Sequence, residues 1–68
     1  MTETRLKAER QRRGWSQTAL AYRAKLTPGD VSKIERGILR PYPRQAARLG
    51  RALQLAPDEL LAPVEHEA

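Results

Sequence analysis

Apolar residues recur at helical spacing in several short segments of the chain, and no segment alternates apolar and polar residues as a half-buried strand does. Glycine and proline separate these segments from one another. The pattern therefore predicts an all-α protein, a compact bundle of five short helices. The predicted helices span about residues 4–13, 17–24, 28–36, 43–54 and 57–61.

Clear start and stop signals surround the second and third predicted helices. Ser16 and Thr27 are good N-caps, because a hydroxyl oxygen can accept a hydrogen bond from a backbone N–H in the first turn. Asp30 lies three residues after Thr27 and completes a capping-box pattern. Gly14 and Gly37 are suited to end the first and third helices, since a residue without Cβ adopts the left-handed conformation without steric cost.

Only three residues separate the second and third predicted helices, a connection that makes two helices cross steeply rather than lie antiparallel. Small and apolar residues are available for such a crossing on the inner surfaces of both helices and of the turn. The fourth helix adds an apolar stripe at positions i, i+3 and i+7. The predicted core of this helix-turn-helix arrangement contains Leu20, Ala21, Ala24, Leu26, Val31, Ile34, Ala46, Leu49 and Leu53.

Charge is distributed unevenly along the chain. Its 68 residues suffice for one small domain, which we expect to span residues 1–63. The formal net charge is +5, but all 13 Lys and Arg precede Pro57, whereas residues 57–68 hold only acidic charges. A basic body with an acidic end favours a polyanionic partner, with a solvated basic surface as the alternative. Residues 64–68 have no periodicity and are expected to fray.

Composition argues against several other classes of protein. The absence of cysteine excludes disulfides and thiolate metal sites, and His66 has no neighbouring ligands, so we expect no metal and no cofactor. No carboxylate pair or glycine-rich phosphate loop indicates an enzyme. No stretch reaches the roughly 18 apolar residues of a membrane span, and no signal peptide is recognisable. The predicted location is a reducing cytoplasm.

Short motifs in a fixed order carry a family resemblance between Arg5 and Leu61. The sequence resembles the helix-turn-helix domain of phage repressors and Cro proteins, also called the xenobiotic response element family. The resemblance implies a lambda-repressor-like fold and a sequence-specific DNA-binding transcriptional regulator, encoded by a bacterium or phage and associated with the nucleoid. The motifs are GWSQ at 14–17, LA at 20–21, VSKIERG at 31–37, Leu53, and PDEL at 57–60.

Two residues depart from the family's pattern. Lys25 stands at the turn position where the family usually has glycine because the residue has a positive φ, and the cost is roughly 1 kcal/mol. Glu9 stands in the first helix, where family members usually carry an apolar residue that helps to close the core. The resemblance also implies a structural ion pair between Arg10 and Glu35, whose role would be stability rather than DNA contact.

The resemblance places two groups of residues against the DNA backbone. Ser16 and Gln17 lie at the start of the second helix, where unpaired N–H groups and the positive dipole end attract a phosphate. The alternative for Gln17 is an ordinary polar residue of the first turn. Arg40 and Arg44, on either side of the loop before the fourth helix, are expected to form a second clamp that sets register without reading sequence.

Base readout is expected from the exposed start of the third helix. Pro28 and Gly29 offer no side-chain hydrogen bond there, so the specificity of one half-site is expected to be modest. Lys33 can reach guanine O6 and N7, with a solvated helix lysine as the alternative. The candidate readout residues are Thr27, Asp30, Ser32 and Lys33.

Family members usually bind two-fold operators as dimers, with their recognition helices about 34 Å apart. We therefore expect a repressor-like homodimer on double-stranded DNA. Apolar residues near the end of the chain are the candidates for the pairing surface, and completion of the monomer core is the alternative for Leu55 and Leu60. The candidates are Leu55, Leu60, Leu61 and Val64.

The main alternative function keeps the fold and changes the partner. An antitoxin-like or anti-activator module would bind another protein and would bind little or no DNA. Pro28, Gly29 and Asp30 favour this reading, because they are poor groups for contacting bases or phosphates. The basic body and Gln17 favour DNA, and the salt dependence of binding distinguishes the two, since phosphate neutralisation makes affinity fall steeply with salt.

Overall fold

A computed structural model describes residues 3–64 and contains four α-helices. The predicted all-α class is confirmed. A three-residue 3₁₀ helix takes the place of the fifth α-helix, so the predicted number of helices was one too many. Within the described residues, extended pairing is limited to one antiparallel bridge between Thr4 and Pro63. The elements are α1 (Arg5–Arg12), α2 (Gln17–Ala24), α3 (Pro28–Glu35), α4 (Pro43–Leu53) and the 3₁₀ helix Pro57–Glu59.

Residues 60–64, which follow the short 3₁₀ helix, pair with residues 3–6. The N–H groups of Arg5 and Leu6 donate to the carbonyls of Ala62 and Leu60 at 2.9 and 3.0 Å. These donors belong to the first turn of α1 and have no partner within the helix. The 3₁₀ helix ends at Glu59, and the turn that follows places the carbonyls of Leu60 and Ala62 where they accept from α1.

Val64 is the first residue of the segment 64–68 that is expected to fray. The N–H of Val64 donates to the carbonyl of Glu3 at 2.7 Å, which continues the pairing of the two ends. The remaining residues 65–68, including His66, lie outside the described residues. Among residues 3–64, no helix is both long enough and apolar enough to cross a membrane.

Side-chain hydroxyl groups cap the first three α-helices. The hydroxyl oxygens of Ser16 and Thr27 accept from backbone N–H groups three residues later, at 3.0 and 3.1 Å, so both predicted N-caps are confirmed. The capping box predicted for Asp30 is only half formed, because in residues 3–64 its carboxylate accepts no hydrogen bond. The box normally uses Glu or Gln, and Asp is one methylene shorter. The reciprocal contact occurs instead at α4, where Gln45 Oε1 accepts from the Tyr42 N–H at 2.9 Å.

The turn between α2 and α3 adopts the geometry expected of the helix-turn-helix motif. Lys25 has φ 57° and ψ 43°, so the predicted positive φ is confirmed at a residue that is not glycine. Gln54 has nearly the same conformation at the end of α4. Each costs roughly 1 kcal/mol relative to an unstrained backbone. At both positions the left-handed residue ends the helix and lets the chain change direction towards the core within one or two residues.

The core lies where α2 meets α3 and α4. Leu26 and Ala46, which were predicted to be in the core, pack against it while keeping part of their surface exposed. Leu60 is fully buried and packs in the core cluster, which contradicts a place on a dimer surface and agrees with the stated alternative, completion of the monomer core. The buried apolar residues are Leu6, Leu20, Ala21, Ala24, Val31, Ile34, Leu49, Leu53 and Leu60.

Gly50 allows the segment after α4 to lie directly on that helix. A Cβ at this position would stand 2.5 Å from the carbonyl oxygen of Leu55, well inside van der Waals contact. The N–H of Leu55 donates to the Gly50 carbonyl at 2.9 Å, which holds the close approach in place. The 3₁₀ helix can therefore occupy its position only because Gly50 has no side chain.

Glu9 replaces the apolar contact of the family with a polar one. Its carboxylate accepts hydrogen bonds from Arg12 and, at 3.1 Å, from Arg13 Nε. The Nη2 of Arg13 in turn donates to the carbonyl of Leu53 and to Gln54 Oε1, both at 3.1 Å. These contacts connect the end of α1 to the end of α4.

Candidate nucleic-acid interface

A buried ion pair joins α1 to α3. Arg10 Nε and Nη2 donate to the two carboxylate oxygens of Glu35 at 2.6 and 3.0 Å, a bidentate geometry. The Glu35 side chain is only 3% exposed. Arg10 Nη1 also donates to the carbonyl of Trp15 at 2.7 Å, so one guanidinium connects α1, the loop before α2, and the end of α3.

Gln17 belongs to the same network. Its Nε2 donates to Glu35 Oε1 at 3.1 Å, which connects the first turn of α2 to the last residue of α3. The residue is half-buried. Its amide oxygen and second amide hydrogen are not used by this contact, so the side chain has groups left to meet a ligand at the N-terminus of α2. We call Arg10, Gln17 and Glu35 the junction of the three helices.

One side of α3, together with its N-cap residue, faces solvent. Thr27, Pro28, Gly29 and Lys33 are exposed, and Asp30 and Ser32 are partly exposed. Val31 and Ile34, on the opposite side of the same helix, are buried. The helix thus presents a polar strip of small side chains interrupted by one long cationic side chain, that of Lys33. The hydroxyl of Thr27 is already used as an acceptor by the cap of the helix.

The two predicted backbone clamps both carry exposed groups. Ser16 is exposed at the N-terminus of α2, where its oxygen caps the helix while its hydrogen stays available as a donor. Arg40 and Arg44 are exposed before and at the start of α4. The two prolines that flank Tyr42 hold this part of the loop in an extended conformation.

Two further exposed residues, Tyr42 and Arg36, lie close to the predicted clamp residues Arg44 and Arg40 but were not predicted to contact DNA. Tyr42 is 69% exposed and precedes α4, next to Arg44. Arg36 is exposed at the end of α3. A signal was present in the sequence, because Arg36, Arg40 and Arg44 recur every four residues. It was not decisive, since the prolines between them prevent a continuous helix.

The described cations divide into a paired group and an unpaired group. Arg5, Arg10, Arg12 and Arg13 form ion pairs with Glu59, Glu35 and Glu9. The other cations have no carboxylate within ion-pair distance among residues 3–64, so their positive charge is available to an external anion. They are Lys7, Arg23, Lys25, Lys33, Arg36, Arg40, Arg44, Arg48 and Arg51.

The apolar residues expected to form a dimer surface do not all lie at the surface. Leu55, Leu61 and Val64 are half-buried, whereas Leu60 belongs to the core. Leu61 lines a cleft of about 320 Å³ together with residues of the loop and of the 3₁₀ helix. The monomer covers these three side chains only in part, whereas the large apolar side chains that are most exposed among residues 3–64 are Tyr22, Ile38 and Tyr42.

The helices α2 and α3 are joined by a short turn in which Lys25 has the left-handed conformation, and α3 exposes one side to solvent. This arrangement defines a helix-turn-helix protein. The family model described as "Helix-turn-helix domain" matches residues 4–63, and the chain belongs to this family. The expected resemblance to phage repressor and Cro-like domains is confirmed by this match and by solved structures. No curated protein matches the sequence.

Three solved structures are similar to the chain. The P22 c2 repressor in complex with a synthetic operator has a TM-score of 0.80 and 31% identity, covering 85% of this chain and 88% of that one. The solution structure of the P22 c2 repressor DNA-binding domain has a TM-score of 0.73 and 30% identity, covering 79% and 71%. A hypothetical transcription factor, NHTF from Neisseria, has a TM-score of 0.76 and 31% identity, covering 85% and 65%.

Proposed function

We propose that this protein is a sequence-specific DNA-binding regulator that places α3 in the major groove. The observation that carries the proposal is the division of α3 into a buried apolar side and an exposed side with Lys33. A helix with this exposure, set across a second helix, has the shape that the major groove admits. The similarity to the P22 c2 repressor, whose structure contains operator DNA, supports the same function.

The phosphate backbone is held on two sides of α3. The N-terminus of α2 offers N–H groups, the Ser16 hydroxyl and the Gln17 amide, and the bond from Gln17 to Glu35 keeps that amide in place. Arg40 and Arg44 hold the other side and, being unpaired within residues 3–64, can be neutralised by phosphates. These contacts fix the register of α3 on the duplex.

Sequence is read mainly by Lys33, with Ser32 as a weaker donor or acceptor. A lysine that reaches guanine contributes discrimination of about 1–3 kcal/mol. Pro28 and Gly29 are exposed but cannot form side-chain hydrogen bonds. Asp30, whose carboxylate remains unbonded in residues 3–64, either accepts from cytosine N4 or excludes other bases. The specificity of one half-site is therefore modest.

A two-fold operator would compensate for this modest readout, and we infer that the protein acts on DNA as a repressor-like homodimer. Leu55, Leu61 and Val64 keep apolar surface that the monomer leaves uncovered. A small domain gains proportionally more from covering such surface than a large one. A dimer with its recognition helices about one helical turn apart would read two half-sites.

The test is fluorescence anisotropy with the DNA upstream of the protein's own coding sequence and with a scrambled duplex, both at about 150 mM salt. A preference of about 10³ or more for the upstream duplex supports the proposal. We expect Lys33→Ala to weaken binding to the preferred duplex by about 1–3 kcal/mol and to leave the scrambled duplex nearly unaffected. Lys7→Ala, on α1, is the matched control and should change neither.

Arg44→Ala separates backbone contacts from base contacts. We expect it to weaken both duplexes equally and to reduce the slope of log affinity against log salt by about 1. Equal and weak binding of both duplexes by the parent protein would contradict sequence-specific recognition.

A protein-binding module is the second candidate function. The observation that favours it is the composition of the first turn of α3. Pro28 and Gly29 have small side chains or none, and the Asp30 carboxylate beside them is negatively charged and unbonded within residues 3–64. A complex of this kind would persist at high salt, because an apolar interface is not weakened by counterions as phosphate contacts are. Absence of any salt-dependent DNA binding would support this candidate over the first.

A further inference from the structure

A basic cleft lies between the C-terminal end of α2 and α4, and one of its residues, Arg48, also lines a neighbouring cleft with Arg44 of the proposed backbone clamp. Its volume is about 450 Å³. None of the residues that line it belongs to the base-reading strip of α3 or to the two backbone clamps. Besides two alanines, it is lined by Trp15, Arg23, Lys25, Arg48 and Arg51.

The charge of this cleft is unbalanced. All four cationic side chains are among those without an ion pair within residues 3–64, and no carboxylate lines the cleft. The neighbouring cations behave differently: Arg12 and Arg13 share the carboxylate of Glu9, and Arg13 also bonds to the end of α4. Four like charges around one concave surface repel one another, and a bound anion would relieve that repulsion.

Trp15 gives the cleft a fixed wall. The guanidinium carbon of Arg23 lies 4.4 Å from the centre of the indole ring, and that of Arg13 lies 5.3 Å from it, both within cation–π distance. The backbone of Trp15 is held at both ends by Arg10, whose carbonyl accepts from its N–H at 3.1 Å and whose guanidinium donates to its carbonyl. The wall is thus positioned before any ligand arrives, which lowers the cost of binding.

We propose that this cleft binds a small phosphorylated molecule that carries a di- or triphosphate chain. The volume lies in the range of small-molecule sites. Guanidinium groups match the planar, bidentate geometry of phosphate oxygens, and Lys25 adds a point charge. Several cations converge on one place, which favours several linked negative charges over a single one. The site does not depend on whether the protein binds DNA.

Intrinsic fluorescence provides a direct test, because Trp15 is the only tryptophan of the chain. The probe is inorganic tripolyphosphate, titrated into the full chain at constant ionic strength. We expect a saturable change in Trp15 emission. The double variant Arg48→Gln/Arg51→Gln should bind the probe at least about tenfold more weakly, since it loses two charged contacts to the phosphate chain.

Arg36→Gln is the matched control, because Arg36 is also exposed and unpaired within residues 3–64 but lies outside the cleft. It should bind the probe like the parent, and thermal melting should show that all variants are folded. A response that does not saturate, that sodium chloride reproduces at the same ionic strength, or that the double variant retains would overturn the proposal.

Duplex DNA is the other source of phosphate groups, and a second titration distinguishes it. We expect the double variant to lose less affinity for a non-specific duplex than Arg44→Ala does, since neither Arg48 nor Arg51 belongs to the two proposed backbone clamps. If the duplex displaces tripolyphosphate and the double variant loses both ligands together, the cleft is a surface for the DNA backbone and the small-ligand site is excluded.

Discussion

The junction of the three helices and the exposed side of α3 use the same kinds of residue in opposite ways. At the junction, Arg10 is only 8% exposed, and all its contacts are with Glu35 and Trp15 inside the fold. On the exposed side, Lys33 has no carboxylate partner among residues 3–64. A charge whose partner is internal holds helices together, whereas a charge without one is available to a ligand.

Two helical glycines show the same contrast in the backbone. Gly50 is buried, and a side chain there would collide with the carbonyl of Leu55. Gly29 is exposed, and a Cβ there would meet only the hydroxyl of Thr27 at 3.9 Å. The first glycine is required by packing, while the second leaves space on the surface that we propose to contact DNA.

Removal of one charge from the junction should have the largest effect. We expect Glu35→Ala to lower the free energy of unfolding by about 3–5 kcal/mol, because it leaves Arg10 buried without its partner. Urea denaturation or thermal melting measures the loss. Arg40→Ala, which removes an unpaired surface charge, should change stability by less than about 0.5 kcal/mol. Equal stability of Glu35→Ala and the parent would show that the junction does not hold the helices.

Substitution of the two helical glycines, Gly50 and Gly29, should have the next largest effect on stability. Gly50→Ala should lower the free energy of unfolding by about 1–3 kcal/mol, because the segment after α4 must move away from the helix. Gly29→Ala should raise it by about 0.5–1 kcal/mol, because alanine is the better helix former and the position is open. Urea midpoints of the two variants check both signs. A loss of stability in both would mean that α3 is packed as tightly as α4.

Lys25→Gly should stabilise the protein by up to about 1 kcal/mol. Glycine adopts φ 57° without the steric cost that a Cβ imposes, and its greater freedom in the unfolded chain offsets part of the gain. The same substitution at Lys7, inside α1, should instead destabilise by about 1 kcal/mol. Thermal melting of both variants tests whether the turn is strained.

The smallest expected effect is the dependence of stability on pH that arises from Glu9. The hydrogen bond from Arg12, followed by the charges of Arg12 and Arg13, holds the pKa of Glu9 below its ordinary value of 4.5. A lowered pKa in the folded protein means that the contribution is fully present above pH 4.5 and is lost as pH falls through the folded pKa. We expect less than about 1 kcal/mol, since Arg12 is exposed. Glu9→Gln should remove this part of the acid dependence of the urea midpoint.

Sequence alone was sufficient where a short-range signal sets the structure. The caps Ser16 and Thr27 follow from residues within one turn of the helix that each begins. The positive φ of Lys25 was implied by the family resemblance and not by the local sequence, since lysine itself disfavours that conformation. Hydrophobic periodicity likewise identified most of the core, because a helix repeats its buried side every three or four residues.

Only the tertiary structure decided what distant segments do to one another. The burial of Leu60, the pairing of Val64 with Glu3, and the bond between Gln17 and Glu35 all join residues far apart in the sequence. The basic cleft depends in the same way on Trp15, α2 and α4 meeting at one place. Local propensities act over a few neighbouring residues, whereas these contacts exist only after the helices have packed around a shared core.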